Sequence, residues 1–436
     1  MLKHGKVIIF AIIVISLCSF LTLHLRENSL FHEKIKPSPP LPYRQDEFKQ
    51  NNYSVIIHQL CHQELFDERD AYDSCHYLMV PMYFAFINYL SDEMDSFDTL
   101  FNQFCASDRG EFNKKLSGLN KNHWYYLATE YLCLCVKFQR PVNKELLRIV
   151  ADGMVQYNIE HTTSWIHLKK FNNMQDLLEN LAFGNGYATK NSMSNIITDN
   201  ELFPLAILCD LNYVTTATGI KTNADSLSQW ATQFVKRMMR KHAVYIDEDS
   251  WIFQLGCWTD HPDYAYTGYK SINDVKPKIK KIVVNIAQDS SHYSRWPCFI
   301  RSFFRNDSKL YEKYKKGIAN LLINKVIVND ASGYYIVNNF MDGNNGVFRY
   351  NKAKMVGYGP YQMSTTFLLG WWSLLDDARI SSIYTKLYRR LKFLKEMPDE
   401  YRDPVTSRKQ NPIFIDFNYY KMLVYMASMI SAESFY

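Results

Sequence analysis

From residue 47 onward, apolar residues recur at the 3.6-residue spacing of a helix, segment after segment, with little between them that reads as a strand. The spacing predicts helices over Pro81–Glu93, Asn122–Phe138, Lys144–Tyr157, Met174–Ala182, Leu202–Leu211, Asp225–His242, Trp296–Arg305, Leu310–Ile323, Met363–Asp376, Ile383–Leu394 and Tyr419–Ser431. Asn143, and either Asp307 or Ser308, stand where N-caps belong. Pro81, Pro204 and Pro297 are expected in the first turns of their helices, where a missing N–H does no harm. Ser250–Leu255 and Tyr334–Asn338 are the clearest strand patches. With only 16 glycines and 14 prolines in 436 residues, a turn-dense β-sandwich is disfavoured.

The body shows no β–α–β alternation, GxGxxG or Walker loop, which disfavours Rossmann and P-loop enzymes. It has no self-similarity at a fixed period, which disfavours a helical-repeat solenoid. What remains is an all-α fold: a single large (α/α) toroid-like domain with a few short strands. In such a ring, helical hairpins close into two layers and their connecting loops line one wide mouth.

Ahead of the body, residues 7–23 (VIIFAIIVISLCSFLTL) are uncharged and follow Lys3 and Lys6. This run is just long enough to span a bilayer and ends without a small-residue cleavage site. It reads as one transmembrane helix, a retained signal anchor within residues 1–27. Residues 28–46, with Pro37, Pro39, Pro40 and Pro42, read as an extended spacer, and residues 47–436 as the helical domain. A short N-terminal tail normally stays in the cytoplasm, which places the body outside it. Leu17 before Cys18 is not small, so no lipidation is expected.

Residues 1–45 carry six basic side chains against two acidic ones, leaving only +2 of the chain's +6 for the body. The basic balance therefore belongs largely to the anchor. No basic block is expected in the body, and no nucleic-acid partner. The body's eight cysteines are irregularly spaced and lack a CxxC pair, which leaves disulfides and buried thiols both open.

Three segments concentrate polar and aromatic side chains. In Asp289–Arg301, His292 and Arg295 fall at i, i+3 and can share a helical face, with Tyr293 about 100° away. A plain helix start, capped by Ser290 or Ser291, would explain the same residues. In Gly256–Gly268, Trp258, Asp260, His261, Asp263, Tyr264 and Tyr266 crowd one loop. Trp and Tyr faces stack on sugar rings, and paired carboxylates can serve as acid and base. A Pro-containing structural turn is the simpler alternative. In Asn338–Tyr361, Asp342-Gly343 and Asn345-Gly346 signal a hairpin, which accounts for neither Arg349 nor Tyr358 and Tyr361. A guanidinium such as Arg349 can clamp a carboxylate. A fourth stretch, Phe183–Tyr187 followed by Asn195–Glu201, reads as structural, with Asn200 a candidate cap. Asp260, His261 and Asp263 have no second cluster to complete a metal site, so neither metal nor cofactor is expected. GxSxG and HExxH are absent.

The Asp289–Arg301 segment, set in an all-helical body, resembles the α/α-toroid polysaccharide lyases and glycosidases of the alginate-lyase-like kind. In those toroids a helix start carries Arg, Tyr and His around a uronate, and an earlier helix supplies an Asn–His pair. Asn185 and His161 are the candidates for that pair. Together with the anchor read at residues 7–23, the resemblance implies a membrane-anchored, extracytoplasmic enzyme acting on an acidic polysaccharide or oligosaccharide. As a lyase, Arg295 or Arg349 would neutralise the carboxylate while Tyr293 or His292 moved the proton. As a glycosidase, two of Asp260, Asp263, Asp289 and Asp342 would be acid and base, with Trp258, His261, Tyr264, Tyr358 and Tyr361 binding sugar. The alternatives are a glycan-binding or envelope-assembly protein using the same cavity, and a tethered helical scaffold in which the segments lie apart.

Overall fold

The computed structural model describes residues 48, 51–107, 112, 116–164, 170–184, 192–404 and 410–430. The expected anchor and spacer lie outside the described residues, as does Asn185. No helix among the described residues is long and apolar enough to cross a membrane.

The body is mostly helical. Its helices are α1 (Tyr53–Cys61), α2 (Glu68–Ile87), α3 (Ser91–Ala106), α4 (Gly118–Lys137), α5 (Lys144–Glu160), α6 (Met174–Phe183), α7 (Asp199–Thr218), α8 (Asp225–His242), α9 (Ser290–Tyr293), α10 (Trp296–Phe304), α11 (Ser308–Leu321), α12 (Ala378–Leu391) and α13 (Phe417–Met429). Three antiparallel two-stranded ribbons interrupt them: β1 (Ala243–Tyr245) with β2 (Trp251–Phe253), β3 (Ile327–Asn329) with β4 (Tyr335–Val337), and β5 (Phe348–Asn351) with β6 (Val356–Tyr358).

Two kinds of helix build the core. In α2, α4, α7 and α13 apolar residues face every direction and most side chains are buried, as an interior helix requires. By contrast α5, α8, α11 and α12 bury one stripe and leave the other face to solvent. The interior helices pack in succession, α2 on α4, α4 on α7 and α7 on α10, while α13 returns to pack on α2 and α12.

Most predicted helices appear, with shifted ends. Asn143 and Asp307 cap α5 and α11 through their side chains. The predicted Pro81–Glu93 helix instead straddles a break, since α2 ends at Ile87 and α3 begins at Ser91. Met363–Asp376 is two 3₁₀ turns, Ser364–Leu369 and Trp371–Leu375, parted by Gly370 at φ 81°. There a Cβ would lie 3.0 Å from Ala427 Cβ, so a side chain conflicts with both the left-handed backbone and the packing of α13.

Pro81 and Pro204 lie inside α2 and α7 rather than in first turns. A proline leaves the carbonyl four residues earlier without its helical donor. Here tyrosines supply the donors from neighbouring elements. Tyr419 donates to the Tyr77 carbonyl at 2.8 Å, and Tyr157 to the Asn200 carbonyl at 2.9 Å. The interior helices can therefore keep their prolines without a buried, unsatisfied acceptor. Among the described residues no disulfide forms, and Cys61, Cys75, Cys133, Cys135, Cys209 and Cys298 are buried thiols.

Candidate functional site

Three stretches far apart in the chain meet at one pocket of about 160 Å³. Trp258, His261, Asp263 and Tyr264 come from the loop after β2, Asp289 and His292 from α9, and Arg349 from β5. The first turn of α7 adds Thr198, Asp199 and Asn200.

Asp289 caps α9, accepting the His292 backbone N–H at 3.1 Å; the expected caps Ser290 and Ser291 lie one and two residues too late. The same cap geometry folds the His292 ring over the carboxylate, with Nδ1 2.9 Å from both oxygens. Nδ1 facing a carboxylate must carry the proton, which leaves Nε2 as the lone-pair nitrogen of the neutral ring. Tyr264 completes the support. Its hydroxyl donates to Asp289 Oδ2 and accepts the Asp289 N–H, both at 3.1 Å. Burial pushes the Asp289 carboxyl upward, but His292 and Arg349 outweigh it and hold the group below the usual carboxylate range. Burial likewise keeps the Tyr264 phenol protonated at neutral pH, its pKa raised well above the ordinary value.

Arg349 reaches the pocket through a β-bulge. Phe348 pairs with Tyr358 and Asn351 with Val356, so two residues of β5 oppose the single Gly357 of β6. Arg349 takes the strain, at φ 52°. Gly357 makes the bulge possible, because a Cβ there would lie 3.0 Å from both the Phe348 carbonyl oxygen and Tyr350 Cα. The bulge aims Arg349 at Asp263, with Nε 2.9 Å from Oδ2. Asp263 is fixed from its other side, its N–H donating to His261 Nδ1 at 3.2 Å.

Arg295 lies behind the pocket rather than on its wall. It ion-pairs with Asp199 and donates to the Tyr72 hydroxyl at 2.7 Å and to His76 Nε2 at 3.2 Å. The chain from α9 to α10 stays right-handed helical through Ser294 and Arg295, with His292 on the pocket wall and Arg295 paired to Asp199. His76 and His123 stack behind this group, their centroids 5.1 Å apart. Burial lowers both imidazoles well below the ordinary histidine range, and for His76 Arg295 adds to the effect.

Other sequence candidates land elsewhere. Tyr293 is fully buried and its hydroxyl accepts the Phe253 N–H at 3.0 Å, which makes it a core residue away from the pocket wall. Asp342 is a loop fastener, accepting the N–H groups of Ala287 at 3.1 Å and Asn344 at 2.9 Å. Asp260 is exposed and off the pocket wall. Tyr358 packs on Phe348, and Tyr361 is exposed at φ 66° beside the Asn345 side chain. His161 pairs with buried Glu201 at 3.0 Å and borders a second, larger open cleft of about 980 Å³ between α4 and α5.

Sequence reasoning missed Asp199. Its signal was the capping box Thr198–Glu201, which marks a helix start but not what that start faces. It also missed the adjacent Asn122 and His123 on α4. Asn122 borders the larger cleft, whereas His123 packs against the Tyr72 ring, tilted by 39° with centroids 4.2 Å apart. No group of three or more metal-ligating side chains occurs among the described residues. Comparison with protein families, with characterised proteins and with solved structures finds no match to this chain.

Proposed function

We propose that this chain is a membrane-tethered, extracytoplasmic carbohydrate-active enzyme that cleaves an acidic glycan by elimination, on a helical body closed as an α/α toroid. The observation that carries the reading is the meeting of His292, Arg349 and Trp258 at one pocket, with His292 Nδ1 held by Asp289 at 2.9 Å. The return of α13 onto α2 supports ring closure.

Each group has a role that its surroundings suit. Arg349 exchanges Asp263 for the uronate carboxylate and, by neutralising it, acidifies the adjacent C–H. Nε2 of His292 takes that proton, Asp289 stabilises the imidazolium, and the C–O bond to the leaving sugar breaks as the C=C bond forms. The imidazolium then protonates the leaving oxygen, which restores the starting state. Trp258 offers a wall for a sugar ring. Hydrolysis is less well supported. Of the pocket carboxylates, Asp199 faces Arg295, Asp263 faces Arg349 and Asp289 serves His292, so each suits binding or support better than donating a proton.

The test is incubation of the protein with a panel of acidic polysaccharides. Ultraviolet absorbance of an unsaturated uronate, lost in His292→Gln, is expected. Reducing ends without that absorbance would mean hydrolysis. Binding without either product would overturn the enzymatic reading in favour of a glycan-binding protein.

A further inference from the structure

A second, smaller core forms between the β5–β6 ribbon and residues 265–275. It gathers Ala265, Tyr266, Tyr269, Val275, Val347 and Tyr350, apart from the main core. Two segments are laid over it. The loop 275–284 is held by Tyr266 donating to the Pro277 carbonyl at 2.8 Å, by Tyr269 donating to that of Ile279 at 3.0 Å, and by the Gly268 N–H donating to that of Lys281 at 2.7 Å. The β5–β6 turn lies beside it, since Tyr350 packs on Tyr266 at 5.2 Å and Lys352 Nζ is 5.9 Å from the same ring.

The outside of this core is unlike the rest of the body. Residues 270–284 and 351–356 carry seven lysines against the single Asp274. That is a net +6 on a body whose total is +2, so the remainder is net negative. All seven lysines are exposed, and among the described residues none pairs with a carboxylate. Interleaved with them are Ile279, Ile282, Val284, Met355 and Val356, five of the thirteen large exposed apolar side chains among the described residues. Val284 and Met355 are the most open of the five, at 73% and 62%.

We propose that this lysine–aliphatic face docks on an anionic phospholipid surface. Lysine stems lie along apolar surface and keep their ammonium groups at phosphate level, while the aliphatic tips enter the headgroup boundary. Other anionic partners fit less well. An acidic polysaccharide or a nucleic acid is met by arginine forks and exposed aromatic planes, and here the tyrosines face inward and the cations are all lysine. Protein interfaces are depleted in lysine. The run at residues 7–23, if it anchors the chain, keeps this face near a bilayer at high local concentration. Because β5 also carries Arg349, docking fixes the orientation of the pocket relative to the membrane. The proposal is independent of what the pocket does.

The test uses the full chain with an environment-sensitive fluorophore on Val284→Cys, reconstituted in phosphatidylglycerol-containing or pure phosphatidylcholine vesicles. A blue shift is expected only with the anionic lipid, and raised salt should reverse it. Adding Lys276→Glu, Lys278→Glu and Lys280→Glu to the labelled chain should remove the shift, as three lysines contribute about a hundredfold in association. The same label on Ile159→Cys, a site distant on α5, should not respond. Equal shifts in both lipids, or at both labels, would overturn the proposal, as would no shift at all. So would a response at 284 to a soluble acidic polysaccharide when anionic lipid is absent, which would make the face a glycan surface. Unfolding midpoints of the variants separate a lost contact from a lost fold.

Discussion

Two charged clusters occupy the same interior helices, and they are built for opposite ends. At the pocket, the starts of α4 and α7 meet α9 and β5. About 16 Å further along α7, judged from its rise per residue, Asp210 joins Glu130 of α4 and Arg305 at the end of α10. In that second cluster every carboxylate oxygen is taken by a protein donor. Arg305 donates to both oxygens of Glu130, at 2.8 and 2.9 Å, and to Asp210 at 2.9 Å. Ser302 bridges the two carboxylates, and the Tyr83 and Tyr126 hydroxyls close on Glu130. Burial pushes both acids upward. Arg305 and Arg301 reverse this at Glu130, whereas Asp210 ends at about 7. At the pocket the charges are instead half-open, as with Arg349 and Asp263, or hold an imidazole whose second nitrogen is left for other work. The carboxylates of the second cluster are thus spent on the fold, although Arg301 and Arg305 border a cavity of about 360 Å³, whereas the pocket keeps polar atoms for a ligand.

The sharpest way to break this comparison is Arg305→Met. It leaves two buried carboxylates without their cation and should lower unfolding free energy by about 3–5 kcal/mol. Chemical denaturation measures it, and a loss below about 1 kcal/mol would mean that the network carries little of the fold. The matching change at the pocket, His292→Gln, should lower turnover about 10²–10⁴-fold. Its unfolding midpoint should stay near that of the parent chain, because the ring is partly exposed.

A third substitution probes a charge that neither cluster satisfies. Asp376 is buried at φ 60°, and neither side-chain oxygen has a hydrogen-bond partner among the described residues. Burial raises its pKa to about 6, against the opposing pull of Arg301 and Lys315. The folded chain thus binds this proton more tightly than the unfolded chain, whose value is about 3.9. The native protein therefore loses stability as pH rises from about 4 through 6. Asp376→Asn, which tolerates the left-handed backbone, should stabilise by about 1–3 kcal/mol at pH 8 and by almost nothing at pH 4. Equal effects at both pH values would show that the carboxylate is not held neutral by burial.

The smallest effect belongs to Arg349→Met. Its pair with Asp263 is partly exposed, so stability should change by less than about 0.5 kcal/mol. If Arg349 clamps a uronate, KM for an acidic glycan should rise about tenfold while neutral sugars are unaffected. An unchanged KM would remove the clamp from the mechanism.

Much of this arrangement was legible in the residues themselves. The 3.6-residue spacing predicts most helices, Asn143 and Asp307 announce their starts, and the crowded loops 258–264 and 289–295 do supply six of the thirteen residues that line the pocket. Local chemistry misleads where distant partners decide. Pro81 and Pro204 look like first-turn residues until Tyr419 and Tyr157 are seen to satisfy the carbonyls they leave open. Tyr293 and Asp342 look like site residues until one is found in the core and the other fastening a loop. The lysine face was passed over because its charges are split between two segments and interleaved with apolar residues.

Helix periodicity and capping are short-range properties, set by side chains within about a turn of each other, and the order of residues alone determines them. Whether His292 meets Asp289, Arg349 or only solvent depends on a four-residue helix, a bulge at Arg349 and packing between segments up to ninety residues apart. Those contacts close only when the interior helices bury one another, and that step is settled by the tertiary structure.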